Sequence, residues 1–430
     1  MSFVPVVKQT APAVVNIYAK IMRAPEATPL RSDPFFERFF NDPFSLRRPQ
    51  VQNSLGSGVI LSADGYVVSN YHVVGTATDI RVVLADRREF TATVVLGDAE
   101  SDLAILKIDV DSALPYLDLR RSDSVEVGEL ALAVGNPFGV GQTVSSGIIS
   151  GLARSGGSAG SGQGYFIQTD APINPGNSGG ALVDVAGRLI GVNTSILTRS
   201  GGSNGIGFAI PADLVAAFVA QAQAGNEAFI RPWAGISGQP LDADMAATLG
   251  FDRPGGIIIS GLHAVSPFLE AGLDVGDVIL AVGGQPVNTP SEMIYRMSVA
   301  GTGAAAQVTY SRAGEMQTVD VPLIAAPETP PRDLTAMPDR SLFPGLMLVQ
   351  LNPSVLAELN LSLEAQGVAV IDPGRFAVRA GLRRGDVIVA INGNSISHPQ
   401  EAVAALSGSS ARVEILIQRG AQRIALRFRG

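Results

Sequence analysis

The segment Gly176-Asn177-Ser178-Gly179-Gly180 is the part of the chain best equipped for chemistry. Glycines on both sides of a serine let the backbone turn tightly and expose the hydroxyl. They also let amide N–H groups converge beside it, as stabilising an oxyanion requires. A serine hydroxyl is a weak nucleophile until a base takes its proton, so a histidine must stand close by. The chain offers His72, His263 and His398. His72 follows the strand-like run Gly65-Tyr66-Val67-Val68-Ser69-Asn70, in the same β-rich region as Ser178, whereas the other two fall in a duplicated region further on. An orienting carboxylate completes the set. Asp102 opens the apolar run Leu103-Ala104-Ile105-Leu106, where a carboxylate is semi-buried and rigid. Asp98 lies close by but lacks that strand context, and Asp170, just before the nucleophile loop, reads as a loop-ordering residue. Taken alone, the Gly-rich pentapeptide is more often a turn with an incidental serine. The company of His72 and Asp102 changes that.

These residues need a rigid frame. From Gly56 to about Phe208, short apolar runs alternate with turn signals, among them Gly58-Val59-Ile60-Leu61, Ile80-Arg81-Val82-Val83-Leu84, Leu130-Ala131-Leu132-Ala133-Val134 and Leu189-Ile190-Gly191-Val192. That spacing predicts an all-β sandwich or barrel. A further strand is expected over Pro12–Ile17, and Pro211 opens a helix to about Gln223, with Leu214, Val215, Phe218 and Val219 as its apolar stripe. The order His72, Asp102, Ser178 is that of chymotrypsin-type triads, and differs from the orders in subtilisins and α/β-hydrolases.

Composition narrows the class. A chain of 430 residues holds about three domains. It has no cysteine and three histidines, which excludes a disulfide scaffold or thiolate nucleophile and argues against a His/Cys metal centre. The net charge is −8 and the basic residues form no patch, so a nucleic-acid partner is not expected. No run is long and apolar enough to cross a membrane as a helix. The N-terminus, Met1-Ser2-Phe3-Val4-Pro5, lacks the pattern of a signal peptide, which leaves either a cytoplasmic protein or the mature part of an exported one.

After residue 230 the sequence repeats. Ala271-Gly272-Leu273-Asp274-Val275-Gly276-Asp277-Val278-Ile279 returns 109 residues later as Ala380-Gly381-Leu382-Arg383-Arg384-Gly385-Asp386-Val387-Ile388, a period that marks a domain duplication rather than a solenoid. The Pro-rich stretch 326–340 reads as the linker between copies. In each copy a tight turn leads into a core strand. A peptide groove is expected instead at Trp233, Ala234, Gly235 and Ile236 in the first copy, and at Phe343-Pro344-Gly345-Leu346 in the second.

The blocks Ser69-Asn70-Tyr71-His72-Val73-Val74, Ser101-Asp102-Leu103-Ala104-Ile105-Leu106-Lys107 and Gln168-Thr169-Asp170-Ala171-Pro172-Ile173-Asn174-Pro175-Gly176-Asn177-Ser178-Gly179-Gly180 resemble the catalytic blocks of Deg/HtrA serine proteases. Gly135-Asn136-Pro137-Phe138-Gly139 and Gly205-Ile206-Gly207-Phe208-Ala209-Ile210-Pro211 match further family segments, and the repeated blocks look like PDZ domains. One protease domain with two PDZ copies resembles the Do-type, DegP/DegQ-like branch. Tyr71, Pro172 and Pro175 depart from the usual pattern without touching the triad.

The resemblance implies a mainly β fold: a chymotrypsin-like double β-barrel over 1–225, a PDZ domain over 230–326, a linker over 327–340 and a second PDZ domain over 341–430. It implies a serine endopeptidase acting on unfolded or misfolded protein through an acyl-enzyme, with His72, Asp102 and Ser178 catalytic and an oxyanion hole at Gly176, Asn177 and Ser178. The segment Ile206, Gly207, Phe208 and Ile210 lines an apolar substrate pocket that takes an aliphatic side chain. The first PDZ copy binds C-terminal peptides. The family further implies a periplasmic protein with no cofactor or metal, built from trimers through the insertion bearing Phe35, Phe36, Phe39, Phe40 and Phe44. The Gly/Ser-rich stretch 155–164 corresponds to its sensor loop. Two rival readings are a chaperone or holdase with secondary proteolysis and a PDZ scaffold with an inactive protease domain.

Overall fold

The computed structural model describes residues 2–23, 50–136, 141–154, 165–174, 176–196, 204–407 and 412–428. The insertion carrying Phe35–Phe44, the 155–164 loop, Pro137, Phe138, Gly139 and Pro175 lie outside the described residues. The chain divides into two compact units, Met1–Arg231 with Thr289–Gly301, and Pro232–Asn288 with Thr302–Gly430.

The first unit contains two closed barrels. One joins β1 (Val14–Arg23), β2 (Gln50–Ile60), β3 (Tyr66–Ser69), β4 (Asp79–Val83), β5 (Glu89–Asp98) and β6 (Leu103–Ile108) in the order β1-β2-β3-β6-β5-β4. The other joins β7 (Leu130–Gly135), β8 (Thr143–Arg154), β9 (Phe166–Thr169), β10 (Ala181–Val183), β11 (Leu189–Ile196) and β12 (Gly207–Pro211) in the order β10-β11-β12-β9-β8-β7. Read from its first strand, the second barrel has the same connectivity as the first. Strand β4 alternates buried Ile80 and Val82 with exposed neighbours, the period-two pattern of a strand with one wet face. Strand β6 is buried at Leu103, Ala104, Ile105, Leu106 and Ile108, because the helix Ala212–Gln223 covers part of it from outside. That helix buries Leu214, Val215, Phe218 and Ala222, and Phe218 stacks on Phe229 with ring centroids 3.9 Å apart.

Three features of this unit differ from what the sequence led us to expect. A helix, Val4–Thr10, precedes β1, with Pro5 in its first turn where a missing N–H costs nothing. The strand expected over 12–17 begins at Val14 and runs on to Arg23. The helix Pro290–Ala300, though it falls between strands of the first repeat, packs within this unit. Its Tyr295 stacks on Tyr165 at 3.9 Å and Arg296 is ion-paired with Asp123. Burial pushes the Tyr295 hydroxyl well above its ordinary pKa.

The second unit carries two sheets. In the first, β13 (Ile236–Pro240), β14 (Ile257–Leu262), β15 (Val278–Val282), β17 (Ala305–Arg312) and β18 (Glu315–Pro322) lie side by side, with β16 (Gln285–Pro286) on β15. In the second, β19 (Thr335–Ala336), β20 (Met347–Gln350), β21 (Val368–Asp372), β22 (Val387–Ile391), β24 (Val413–Arg419) and β25 (Gln422–Phe428) lie side by side, with β23 (Asn394–Ser395) on β22. The repeated Gly-Asp-Val-Ile blocks are scaffold in both. Buried Asp277 accepts from Arg312 and from the Asp274 amide, and buried Asp386 accepts from Arg419 and the Arg383 amide. The Pro-rich stretch read as a linker contributes a strand, β19, to the second sheet.

Candidate active site

Three loops meet where the barrels face each other. The first leaves β3, whose end is followed by the single helical turn Tyr71–Val74 bearing His72. The second joins β5 to β6 and ends at Asp102, which has a left-handed backbone, φ +54°. Asn70 holds this second loop against the first: its Nδ2 donates to the Asp102 carbonyl at 3.0 Å, and the Tyr71 amide donates to the same oxygen at 3.1 Å. The Asp102 carboxylate then receives the His72 amide at 3.0 Å and the ring Nδ1 at 2.8 and 2.9 Å. With Nδ1 committed to a carboxylate acceptor, Nδ1 carries the proton of the neutral ring and Nε2 the lone pair. That is the tautomer of a general base.

The third loop, between β9 and β10, carries the serine. Its backbone is locked group by group. The Asn177 amide donates to Asn174, Gly180 to Asn177, Gly179 to Asn193, and the Ser57 amide to the Ser178 carbonyl at 2.8 Å. At Gly179, φ is +82°, and a Cβ there would sit 2.1 Å from the Ser57 carbonyl oxygen, so the turn admits only glycine. Among the described residues, neither the Gly176 nor the Ser178 amide donates to another backbone group. Two N–H groups thus stand available next to a hydroxyl. Ser178 is 7% exposed, and its Oγ donates to the Thr194 carbonyl at 3.0 Å.

Thr194 also donates its Oγ1 to Asp102 Oδ2 at 2.6 Å, so one residue of β11 touches Asp102 and Ser178 together. Ser57, fully buried on β2, donates its hydroxyl to the Gly176 carbonyl at 2.6 Å and accepts from the Asn136 amide at 2.8 Å. Neither was singled out from the sequence. The only available signal was a hydroxyl residue inside an otherwise apolar or glycine-rich strand. Arg231 was also missed in this role. Its guanidinium binds the Asp98 carboxylate and the Ser101 hydroxyl, the residue next to Asp102, with Glu100 at 3.4 Å. Burial works against its charge, but Asp98 and Glu100 outweigh that and hold its pKa above the ordinary value.

The remaining sequence-selected residues fall as follows. Asp170 accepts the Ile148 amide, a loop-ordering contact. Ile206 is half-buried and Gly207 buried, Phe208 packs near Phe166 with centroids 6.0 Å apart, and Ile210 lies in the main core cluster of the unit. Of the expected apolar pocket, Ile206 is therefore the most accessible side chain. In the second unit, Trp233 is buried and edge-on to His263 at 5.4 Å, its amide donating to Ile324. The Ala234 carbonyl accepts from Ser266 and the Gly235 carbonyl from the His263 amide. His263 and His398 belong to the second unit.

Two barrels of equal connectivity with a Ser-His-Asp set between them define a serine protease of the trypsin-like class. Residues 56–192 match the family described as trypsin-like peptidase domain, and residues 234–323 and 367–419 match PDZ domain families. The chain is 36% identical over 422 residues to a probable periplasmic serine endoprotease, DegP-like, of Pseudomonas fluorescens, covering 93% of this chain and 86% of that one. It is 35% identical over 431 residues to the periplasmic pH-dependent serine endoprotease DegQ of Escherichia coli, covering 100% of this chain and 91% of that one. Among solved structures, the HtrA-type protease AlgW with tripeptide is similar at a TM-score of 0.57 and 39% identity, covering 76% of this chain and 98% of that one. The chain belongs to the DegP/DegQ family of serine endoproteases, and it is a serine endopeptidase.

Proposed function

We propose that the chain degrades unfolded or misfolded polypeptides in the bacterial envelope, through an acyl-enzyme formed on Ser178. The observation that carries this is the chain of contacts from Thr194 to Asp102 to His72, which prepares Nε2 as the base. The Ser178 hydroxyl turns from the Thr194 carbonyl to His72, gives up its proton and attacks the scissile carbonyl. The imidazolium that forms is stabilised by Asp102 and then protonates the leaving amine; water repeats the sequence in reverse roles. The Gly176 and Ser178 amides, with Asn177 between them, receive the developing oxyanion, each donor contributing roughly 2.7–4 kcal/mol to the transition state. An extended substrate suits a cleft between barrels, and an unfolded chain supplies one. Ile206, with no acidic neighbour in the 205–210 segment, favours an aliphatic side chain at the cleaved bond.

The periplasmic names of the relatives support an envelope location, and no described helix is long and apolar enough to cross a membrane. The domain limits in this reading are 1–225, 230–326 and 341–430, joined by 327–340. Peptide C-termini bind the first PDZ copy beside Trp233, Ala234, Gly235 and Ile236. This agrees with β13 lying at the edge of its sheet, where a peptide can add as a further strand. Assembly into trimers through Phe35–Phe44 completes the reading.

The test is turnover of an unfolded protein such as reduced casein, together with fluorophosphonate labelling. Wild type is expected to cleave and label, and Ser178→Ala to lose roughly 10⁴–10⁶-fold in kcat. Absence of both cleavage and labelling, with and without a C-terminal peptide, overturns the reading in favour of an inactive scaffold. Equal suppression of aggregation by both proteins would add a separable holdase activity.

A further inference from the structure

The two repeats differ at the strand where a peptide would add. In the first, β13 is the outermost strand of its sheet. In the second, the corresponding β20 is covered by β19, which runs antiparallel to it with Thr335 opposite Leu348 and Ala336 opposite Met347. The pairing extends past β19 at both ends. The Gln350 amide donates to the Arg332 carbonyl at 2.7 Å, the Met337 amide to the Leu346 carbonyl at 2.8 Å, and the Gly345 amide to the Met337 carbonyl at 3.4 Å.

That last contact fixes the direction. Gly345 (φ +77°) sits in the turn before β20, as Gly235 (φ +60°) does before β13. A peptide captured by its terminal carboxylate in such a turn runs antiparallel to the strand, with its last residue beside the glycine amide. Segment 332–337 runs the same way and brings a backbone oxygen to the same amide.

Its side chains alternate accordingly. Met337 is 3% exposed and belongs to the core cluster that also contains Leu346, Leu348 of β20, and Ala402 and Leu406 of the helix Pro399–Ser407. Two residues earlier Thr335 is half-buried and accepts from Gln400 Nε2 at 3.4 Å, and two earlier still the Asp333 carboxylate lies 3.4 Å from His398 Nδ1. Leu334 and Ala336 face solvent. At its outer end Arg332 is tied to Glu328 and Glu358.

We infer that the groove between β20 and helix Pro399–Ser407 is a peptide-binding site whose resident ligand is the chain's own segment 332–337. The groove selects an apolar final residue, a hydroxyl two positions before it and an acidic residue four positions before it. External peptides therefore enter the first repeat, and the second accepts one only when the segment is displaced. This rests on reading the repeats as peptide binders.

The test uses full-length protein carrying Ser178→Ala, to prevent cleavage, and the fluorescent peptide Arg-Asp-Leu-Thr-Ala-Met with a free carboxylate. Met337→Asp places a charge in the apolar pocket, and Met337→Gly removes the anchor without adding one. Each is expected to bind one peptide per chain more than the parent does. An Ala336→Cys/Met347→Cys pair, oxidised in the Met337→Gly background, is expected to abolish the extra site, and reduction to restore it; the chain has no other cysteine to interfere. Unchanged stoichiometry in a Met337 variant whose second unit melts cooperatively overturns the inference. If no protein, parent or variant, binds any C-terminal peptide, the peptide-binding reading fails rather than the assignment of the segment.

Discussion

The two barrels share one strand order but hold the groups of the proposed triad by different means. In the first, side chains do the holding: Asn70 Nδ2 grips the Asp102 loop, Ser69 Oγ donates to the Ser57 carbonyl, and Arg231 grips the residues before Asp102. In the second, the nucleophile turn is held mostly by its own amides and carbonyls, at Asn174, Asn177, Gly179, Gly180 and Asn193. The difference follows from the tasks. A base and its orienting acid must resist rotation about side-chain bonds, which needs partners at their polar atoms. An oxyanion hole is made of backbone, so the backbone itself has to be rigid. Thr194 and Ser57 are where the two schemes join, since each touches both barrels.

The largest effect should come from breaking the backbone scheme. Gly179→Ala forces a Cβ against the Ser57 carbonyl and requires a left-handed φ, so we expect a loss of about 3 kcal/mol or more in stability and near-complete loss of activity. Thermal unfolding and casein turnover measure both; a stable, active Gly179→Ala protein would sink the backbone-locking account. Next, Thr194→Val removes a hydrogen bond to a carboxylate, a contact of about 1.5–3 kcal/mol, so kcat should fall roughly 10–100-fold with KM nearly unchanged. An equal rise in KM would show that Thr194 serves substrate binding rather than Asp102.

Ser57→Ala should be milder, roughly tenfold in kcat, because it frees one carbonyl of the loop without moving the serine directly. Affinity for a peptide boronate, which places an oxygen in the oxyanion hole, should drop by the same factor; unchanged boronate affinity would assign Ser57 a purely structural role. The smallest effect lies outside both barrels and serves as the baseline. Hydrogen bonds from Arg332 and Asn352 hold the Glu328 carboxyl at about 2, below its ordinary 4.5. Because the folded value is the lower one, this contribution is fully present above about pH 4.5 and is lost as pH falls toward 2. Glu328→Gln should therefore leave turnover at pH 7 unchanged. It should also flatten the acid limb of the second unit's denaturant midpoint, and a difference between the proteins confined to pH 6–8 would contradict the assignment.

The sequence singled out His72, Asp102 and Ser178, the proposed triad, because each sits in a local pattern that chemistry explains: a Gly-flanked serine, a histidine just past a strand, an aspartate just before one. The barrels were legible from apolar runs at regular spacing, and the scaffold role of Asp277 and Asp386 from the repeat. Thr194, Ser57 and Arg231 were not, because nothing in a single sequence says which distant loop a lone hydroxyl or guanidinium will meet. The strand at Thr335–Ala336 was hidden for another reason. Its prolines, at 327, 330, 331 and 338, flank residues 332–337 without entering them, so a linker composition concealed a short stretch free to donate its amides. Ile210 illustrates the converse: it sits in a segment read as a pocket, but its side chain is taken up by the core.

The grip of Arg231 on Asp98 and Ser101 bears on how the catalytic part can be handled in isolation. A fragment cut at residue 225, where the composition suggests the protease ends, loses the guanidinium that braces the loop leading to Asp102. A fragment carried on to 231 keeps it. Six residues of apparent tether therefore separate a fragment with a braced Asp102 loop from one without, so side-chain anchoring in this part of the chain runs past the helix Ala212–Gln223 to Arg231.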